Sequence, residues 1–546
     1  MAKNSVKSAT QDFSKVVHAQ TPRSTFKRNS TLVTTMNAGD LVPIYIDEVL
    51  PGDTFKMDIQ HVSRLITPLA PTMDNINLEF FAFFVPNRIV WDNWTALQGE
   101  NNTSAWVPGS PPASVPAANI NLAIQSKSIG DYYGLPVNLN TSNHSVNVLP
   151  FRGYAQIWND WFRNQNVQAP IPVIKDDAGS NSGVNFYSDP LLKVNKPFDY
   201  FTSALPAPQK GVSQLIPIEL NQLIPVITSS ADAQTGAASP LRLRVSNTGG
   251  VLPAGTLHSM GGAGGELGQT NGAGGSSNTA YPSNLFADAT GQQINGTTIS
   301  DLRTAFQIQR LYERDARGGT RYIEMLKAHF GVDAGDYRLQ RPEYLGHCST
   351  MIDVQQVTQT AEDSTTPVGT TRAFGHSQGN DYLFNKSFVE HGFIHIFAVA
   401  RQKKTYQQGL DRFWSRRDRL DYYVPVLAHI SEQPIYTKEI YAFGGVAPDD
   451  VFGYQEAWSD YRYKPSRVTG QMRSGVTNSF DIWHYADFYM TTPTLSDAWM
   501  KDNSKTNLQR TLAITEVDQI LLNVRFDLEA TRPMPTHSVP GLIDHF

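Results

Sequence analysis

The chain has 546 residues, enough for a large core and more than one structural unit, and its single cysteine excludes an intrachain disulfide and any cysteine-based zinc site. The formal net charge of -5 means that bulk charge does not drive binding to a polyanion, so any nucleic-acid contact must come from a local patch. Charged residues are sparse at 17%, while glycine, proline and aromatics are plentiful; this balance favours a β-sandwich or barrel with long ordered loops over a helical bundle. The lone Cys348 fits assembly in a reducing cytoplasm. No apolar secretory segment is expected at the N-terminus, and runs such as 80–85 and 393–400 are far short of the ~20 residues a membrane helix needs, so no membrane insertion is expected.

The first 30 residues read as a basic arm. Lys3, Lys7, Lys15, Arg23, Lys27 and Arg28 face only Asp12, and the arm, taken as 1–40, is expected to be extended and mobile unless a partner holds it. Residues 41–66 read as strand, turn, strand: Leu41, Ile44 and Ile46, then Pro51-Gly52-Asp53, then alternating Phe55, Met57 and Ile59. Residues 76–91 form a strand dense enough in Phe to be buried on both faces. Residues 101–121 are loop. Tyr154, Ile157, Trp158, Trp161 and Phe162 have helical spacing.

Residues 201–298 read as an insertion entered through Pro206, Pro208 and Pro217. Its glycine runs, Gly261-Gly262-Ala-Gly264-Gly265 and Gly272-Ala-Gly274-Gly275, bury too little apolar surface to repay ordering, so they belong to a surface loop. A helix follows with Ser300 as N-cap and stops at Gly318-Gly319; a second, 322–330, ends at Gly331. Strands return over 388–401 and 514–528, and the tail from Thr531 is extended. The expected organisation is therefore an arm (1–40), a first part of the β scaffold (41–200), a Gly-rich surface insertion (201–298), and helices, long loops and closing strands (299–546). Strands at both ends with long excursions between them suit an eight-stranded antiparallel jelly-roll sandwich, in which first and last strands pair.

No catalytic constellation emerges. The glycine runs match neither G-x-G-x-x-G nor G-x-x-x-x-G-K-[ST]. His391 and His395 sit in a strand-like pattern and read as two side chains on one strand face rather than metal ligands. His347-Cys348 lacks a third partner, and Cys348 reads as a small structural residue. Neither a metal nor a cofactor is expected. Asp449-Asp450 and Asp411/Asp418 leave glycoside hydrolysis open, because sequence does not place two acids across a cleft.

Two basic clusters carry interleaved aromatics. One holds Arg401, Lys403, Lys404, Arg412, Arg416, Arg417 and Arg419 around Phe413 and Trp414; the other holds Tyr454, Trp458, Tyr461, Arg462, Tyr463, Lys464 and Arg467. Cations neutralise phosphates and rings stack on bases, which suits single-stranded nucleic acid. The alternative is that the aromatics are packing residues and the arginines pair within the subunit or across an interface. Both readings stay open, and they coexist if the clusters line the inside of a shell.

Three strings carry a resemblance: Pro22-Arg-Ser-Thr-Phe-Lys-Arg-Asn-Ser, Thr405-Tyr-Gln-Gln-Gly-Leu-Asp-Arg-Phe-Trp-Ser-Arg-Arg, and Val451-Phe-Gly-Tyr-Gln-Glu-Ala-Trp-Ser-Asp-Tyr-Arg-Tyr-Lys-Pro-Ser-Arg-Val-Thr-Gly. They resemble the major capsid protein of small single-stranded DNA phages, the gokushovirus branch of the Microviridae. The resemblance spans nearly the whole chain and is weakest in the insertion. It implies a viral jelly-roll capsid subunit without enzymatic activity, assembling through pentamers into a T=1 icosahedral shell around circular single-stranded DNA in a bacterial cytoplasm. It implies an internal scaffolding protein, a pilot protein, a small basic DNA-binding protein and a host cell-surface receptor as partners. The insertion then becomes a threefold protrusion for host attachment. The basic residues Arg23, Lys27, Arg28, Lys403, Lys404, Arg412, Arg416, Arg417, Arg419, Arg462, Lys464 and Arg467, with Trp414 and Tyr461, become candidates for contact with DNA or a neighbour. The competing expectations are a carbohydrate-binding or glycosidase-like β-sandwich and a nucleic-acid-processing enzyme.

Overall fold

The computed structural model describes residues 22–537 apart from 99, 101–113, 120–123, 138–143, 180–182, 319–321, 332–339, 363, 365, 446 and 448; between 212 and 298 it describes only short strand segments. The chain divides into two compact units, Met1–Lys210 with Glu313–Phe546, and Gly211–Tyr312.

Besides a short antiparallel pair, Ala117–Asn119 with Ser145–Asn147, the described residues of the larger unit form these strands in chain order: β1 (Ser24–Lys27), β2 (Ser30–Met36), β3 (Val42–Val49), β4 (Thr54–Leu65), β5 (Ile76–Pro86), β6 (Glu343–Thr358), β7 (Thr371–Ser387), β8 (Gly392–Gln402), β9 (Gln433–Tyr436), β10 (Val451–Gln455) and β11 (Ile520–Arg532). The main sheet runs β1-β11-β4-β7-β6-β5-β8-β3, with β2 also on β11, and the pairings are antiparallel. Strand β6 turns the corner: its residues 343–352 pair with β5, and its residues 353–358 pair with β7. One half therefore reads β2-β11-β4-β7 and the other β6-β5-β8-β3, the double four-stranded order of a jelly roll. The first and last strands pair, as expected.

Alternation sets the core. Phe55, Met57 and Ile59 of β4 point inward with Val524, Phe526 and Leu528 of β11, while the residues between them face out. The Pro51-Gly52 turn leading into β4 needs the positive φ of Gly52, +89°, and the Asp53 carboxylate accepts from the Leu50 N–H at 2.9 Å. From Ala82 onward β5 is buried on both faces, as is most of β8. A helix, α1 (Leu149–Ile157), continues as a π turn at Trp158–Phe162; Tyr154 packs on Phe397, and Phe162 meets Phe81 edge-on.

Several boundaries differ from the sequence reading. Residues 24–36, expected in the arm, are strands paired with β11, because Phe26 and Leu32 extend its apolar alternation; residues 1–21 lie outside the described residues. The two longest strands, β6 and β7, went unrecognised; their outer faces are polar, and glycines interrupt their pattern. Strand β8 starts at Gly392, leaving exposed Val389 in the preceding turn, and β11 starts at Ile520. The helix expected after the insertion, α2 (Ile299–Gly318), includes Ser300 in its first turn, and α3 (Tyr322–Phe330) ends at Gly331 with φ +68°.

The smaller unit holds a four-stranded sheet in the order 243–245, 278–282, 267–269, 259–260, two further strand pairs and the first part of α2. Gly261, Gly262, Gly264, Gly265, Gly272, Gly274 and Gly275 lie outside the described residues. Phe201, Ala204 and Leu205 belong to the larger unit and are buried there.

Candidate functional site

The two arginine-aromatic segments converge on a small satellite core of Tyr200, Phe201, Tyr406, Ile435, Ile440 and Phe452, with Trp499 and Met500. The β9–β10 pair and a bridge between Leu205 and Tyr454 tie residues 433–455 to this core. Around it, residues 410–430 run through three short 3-10 turns, Arg412–Ser415, Arg419–Asp421 and Pro425–Leu427. The second turn is held by a reciprocal capping box between Asp418 and Asp421.

Tertiary folding supplies most of the arginines with partners from distant segments. Arg416 pairs with Asp460 and lies 4.1 Å from the Tyr461 ring centroid. Arg412 donates to the Pro434 carbonyl at 2.8 Å and sits 3.5 Å from the buried Glu439 carboxylate. Burial raises the Glu439 carboxyl above its ordinary value, with Arg412 opposing that shift. Lys464 and Arg467 both bond Asp411, and Arg462 bonds Glu456 at 2.9 Å and the Ala457 carbonyl at 2.8 Å. Arg401 pairs with Glu79.

Lys404 is buried, and its ammonium bonds Asp502 at 2.6 Å and Asn503 at 2.7 Å, an arrangement that ties it into the subunit's own core. Arg28 forms a forked pair with Asp47, at 2.5 and 3.1 Å, and Arg23 donates to the Gly52 carbonyl at 2.6 Å. Lys27, Lys403, Arg417 and Arg419 remain exposed and form no side-chain ion pair among the described residues.

What these loops offer outward is therefore mostly apolar. Trp414 is 65% exposed, Leu420 74% and Val426 86%, with Phe413, Tyr422, Tyr423 and Tyr461 also exposed. A groove of about 410 Å³ is lined by Tyr200, Phe413, Arg416, Glu439, Tyr461 and Tyr463 among others. A monomer that exposes so many large apolar side chains in one stretch marks an interaction surface. The sequence reading found the arginines and rings; it missed Leu420, Val424 and Val426 and the counter-ions Asp460, Glu439 and Asp47. Sequence spacing carries no signal for partners tens of residues away.

The other sequence candidates are structural. His395 is fully buried, its Nδ1 is 3.0 Å from the Tyr133 hydroxyl, and burial depresses its pKa to about 3. His391 lies before β8, edge-on to Trp94, so the two histidines do not share a strand face as expected. Burial pushes the Cys348 thiol up to about 12, which leaves no thiolate for nucleophilic chemistry. No group of three or more potential metal ligands occurs among the described residues. No described helix is long and apolar enough to cross a membrane.

The family model for the capsid protein (F protein) of phages matches residues 14–542. Among similar proteins, the capsid protein VP1 of Bdellovibrio phage phiMH2K is 40% identical, covering 98% of both chains. Capsid protein VP1 of Spiroplasma virus 4 is 39% identical and that of Chlamydia phage 1 is 37% identical, each over 97% of both chains. These matches run across the jelly roll and the loops around the satellite core alike, and they leave no place for the sandwich-glycosidase or nuclease expectations. The chain belongs to the phage capsid protein (F protein) family, as a gokushovirus-like member with a structural role in the virion rather than an enzymatic one.

Proposed function

We propose that the chain assembles through pentamers into a T=1 icosahedral shell enclosing circular single-stranded DNA, with residues 410–430 forming a contact between copies. The observation that carries this reading is the exposed apolar strip of Trp414, Leu420, Tyr422, Tyr423 and Val426 beside arginines already paired within the subunit. Burying such side chains against a neighbour is worth about 1.5–3 kcal/mol each. Closed symmetry then lets many modest contacts act together. Paired arginines keep register at such a contact without leaving unpaired buried charge. Lys27, Lys403, Arg417 and Arg419, whose side chains form no hydrogen bond or ion pair among the described residues, are the members of the basic set best placed to meet DNA phosphates or a neighbour's carboxylates. The Gly-rich stretch around Gly261–Gly275 serves host attachment as a surface protrusion through a cell-surface receptor. Assembly takes place in the bacterial host cytoplasm with an internal scaffolding protein, a pilot protein and a small basic DNA-binding protein.

Electron microscopy of the protein expressed with and without its scaffolding partner tests the reading. Uniform closed shells in either sample support it. Monomers alone in both, under salt that favours assembly, refute it.

A further inference from the structure

The outer face of the half-sheet β2-β11-β4-β7 carries side chains that a contact between copies at residues 410–430 leaves unused. On β7, Arg372, Phe374 and His376 alternate with inward-facing Ala373 and Gly375, so all three share the outer face. The Phe374 and His376 rings stack, with centroids 5.4 Å apart and planes at 25°, and Phe374 is 45% exposed. The strand register sets Arg64 of β4 directly beside His376. Arg64 and Arg372 are exposed and form no side-chain ion pair among the described residues.

Next to this ring pair, Gln60, Gln378, Asn380 and Asn523 line a shallow depression of about 560 Å³ together with Val62 and Arg525. The register lays them out as two adjacent rows, Asn523-Val62-Gln378 and Arg525-Gln60-Asn380. The carboxylates nearest the ring pair and the amides are engaged: Asp527 accepts from Arg525 at 3.0 Å and Gln60 at 3.1 Å, and Asp353, opposite His376, accepts from Gln355 at 3.1 Å, while Asp58, 3.9 Å from Lys56, and exposed Glu529 lie further along the same face.

We propose that this face binds single-stranded nucleic acid without sequence preference. Bases stack on the Phe374–His376 pair, phosphates meet Arg64 and Arg372, and base edges meet the amides. A ring face accepts any base, and each amide offers both a donor and an acceptor, so the recognition tolerates every sequence. An acidic peptide would use the arginines but leave the ring pair idle. The proposal rests on the reading that the shell encloses single-stranded DNA, and it assigns the surface that meets the strand.

The test is fluorescence anisotropy of the full-length subunit with fluorescein-labelled oligo-dT of about 20 nucleotides, a length that spans several stacked bases. Phe374→Ala with His376→Ala weakens binding by about ten- to a hundredfold at fixed salt. Arg64→Gln with Arg372→Gln reduces the slope of log affinity against log salt by about 1.4. All four side chains lie on the outer face, and an unchanged thermal midpoint verifies the fold. Wild type and both variants binding equally overturns the assignment while leaving the shell reading intact. Loss in the arginine variant alone, with the ring variant unchanged, overturns it in favour of a purely ionic contact. A wild-type subunit that fails to bind, together with shells that hold no DNA, overturns both.

Discussion

The double substitution Leu420→Ala with Val426→Ala isolates the contact between copies. Both side chains are largely solvent-exposed in the subunit, 74% and 86% respectively, so removing them costs the isolated chain little, within about 0.5 kcal/mol. At the proposed contact the same atoms become buried on assembly. Leu→Ala deletes three carbons and Val→Ala two, and each buried methylene-sized group is worth about 0.8 kcal/mol. Scaled by the exposed fractions, the variant loses about 3 kcal/mol per contact, or a weakening of more than a hundredfold. Repeated around a closed shell, that loss raises the concentration needed for assembly out of the working range. The assay is light scattering against protein concentration for wild type and variant, with urea unfolding of the dissociated subunit as control. A variant that assembles at the wild-type concentration, with equal subunit stability, refutes the assignment of residues 410–430 to the contact. Equal losses of assembly and of subunit stability refute it as well, because the side chains would then serve the fold.

Replacing Lys404 with Ala strands the buried Asp502 carboxylate and lowers subunit stability by about 3–5 kcal/mol, whereas Arg419→Ala, at an exposed site, changes it by less than about 0.5 kcal/mol; urea unfolding measures both. His395 makes the subunit acid-sensitive. Its folded pKa of about 3 lies below the ordinary 6.5, so as pH falls below 6.5 the unfolded chain takes up a proton that the folded chain refuses. Its contribution to stability, complete above 6.5, is then lost by up to about 1.4 kcal/mol per pH unit until the folded pKa is reached. His395→Gln flattens the pH dependence of unfolding by that slope between pH 6 and 4, and parallel curves for wild type and variant would contradict it. Deleting Gly261–Gly275 leaves shells intact by electron microscopy and reduces adsorption to host cells; failure of assembly would show that the stretch serves the particle rather than attachment.

Much of the jelly roll was legible in the sequence where burial is one-sided or complete. The alternation of Phe55, Met57 and Ile59 marks β4, and the run from Phe80 to Val85 marks the doubly covered β5. The turn at Gly52 and the stop at Gly331 were equally plain, because positive φ leaves glycine as the favoured residue. Strands β6 and β7 were not legible: Gln355, Gln378 and Asn380 face outward, and their β conformation is imposed by hydrogen-bonded neighbours rather than by local preference. The site divides in the same way. Composition and spacing alone determined that Arg412, Trp414, Arg416, Tyr461 and Arg467 belong to two cationic, aromatic segments that match no catalytic motif. Only the tertiary structure decided what those charges do, because a counter-ion acts through distance in space. Asp460 lies 44 residues from Arg416 and Asp502 98 residues from Lys404, and folding brings each within bonding reach, while the aliphatic side chains of Leu420 and Val426 stay exposed.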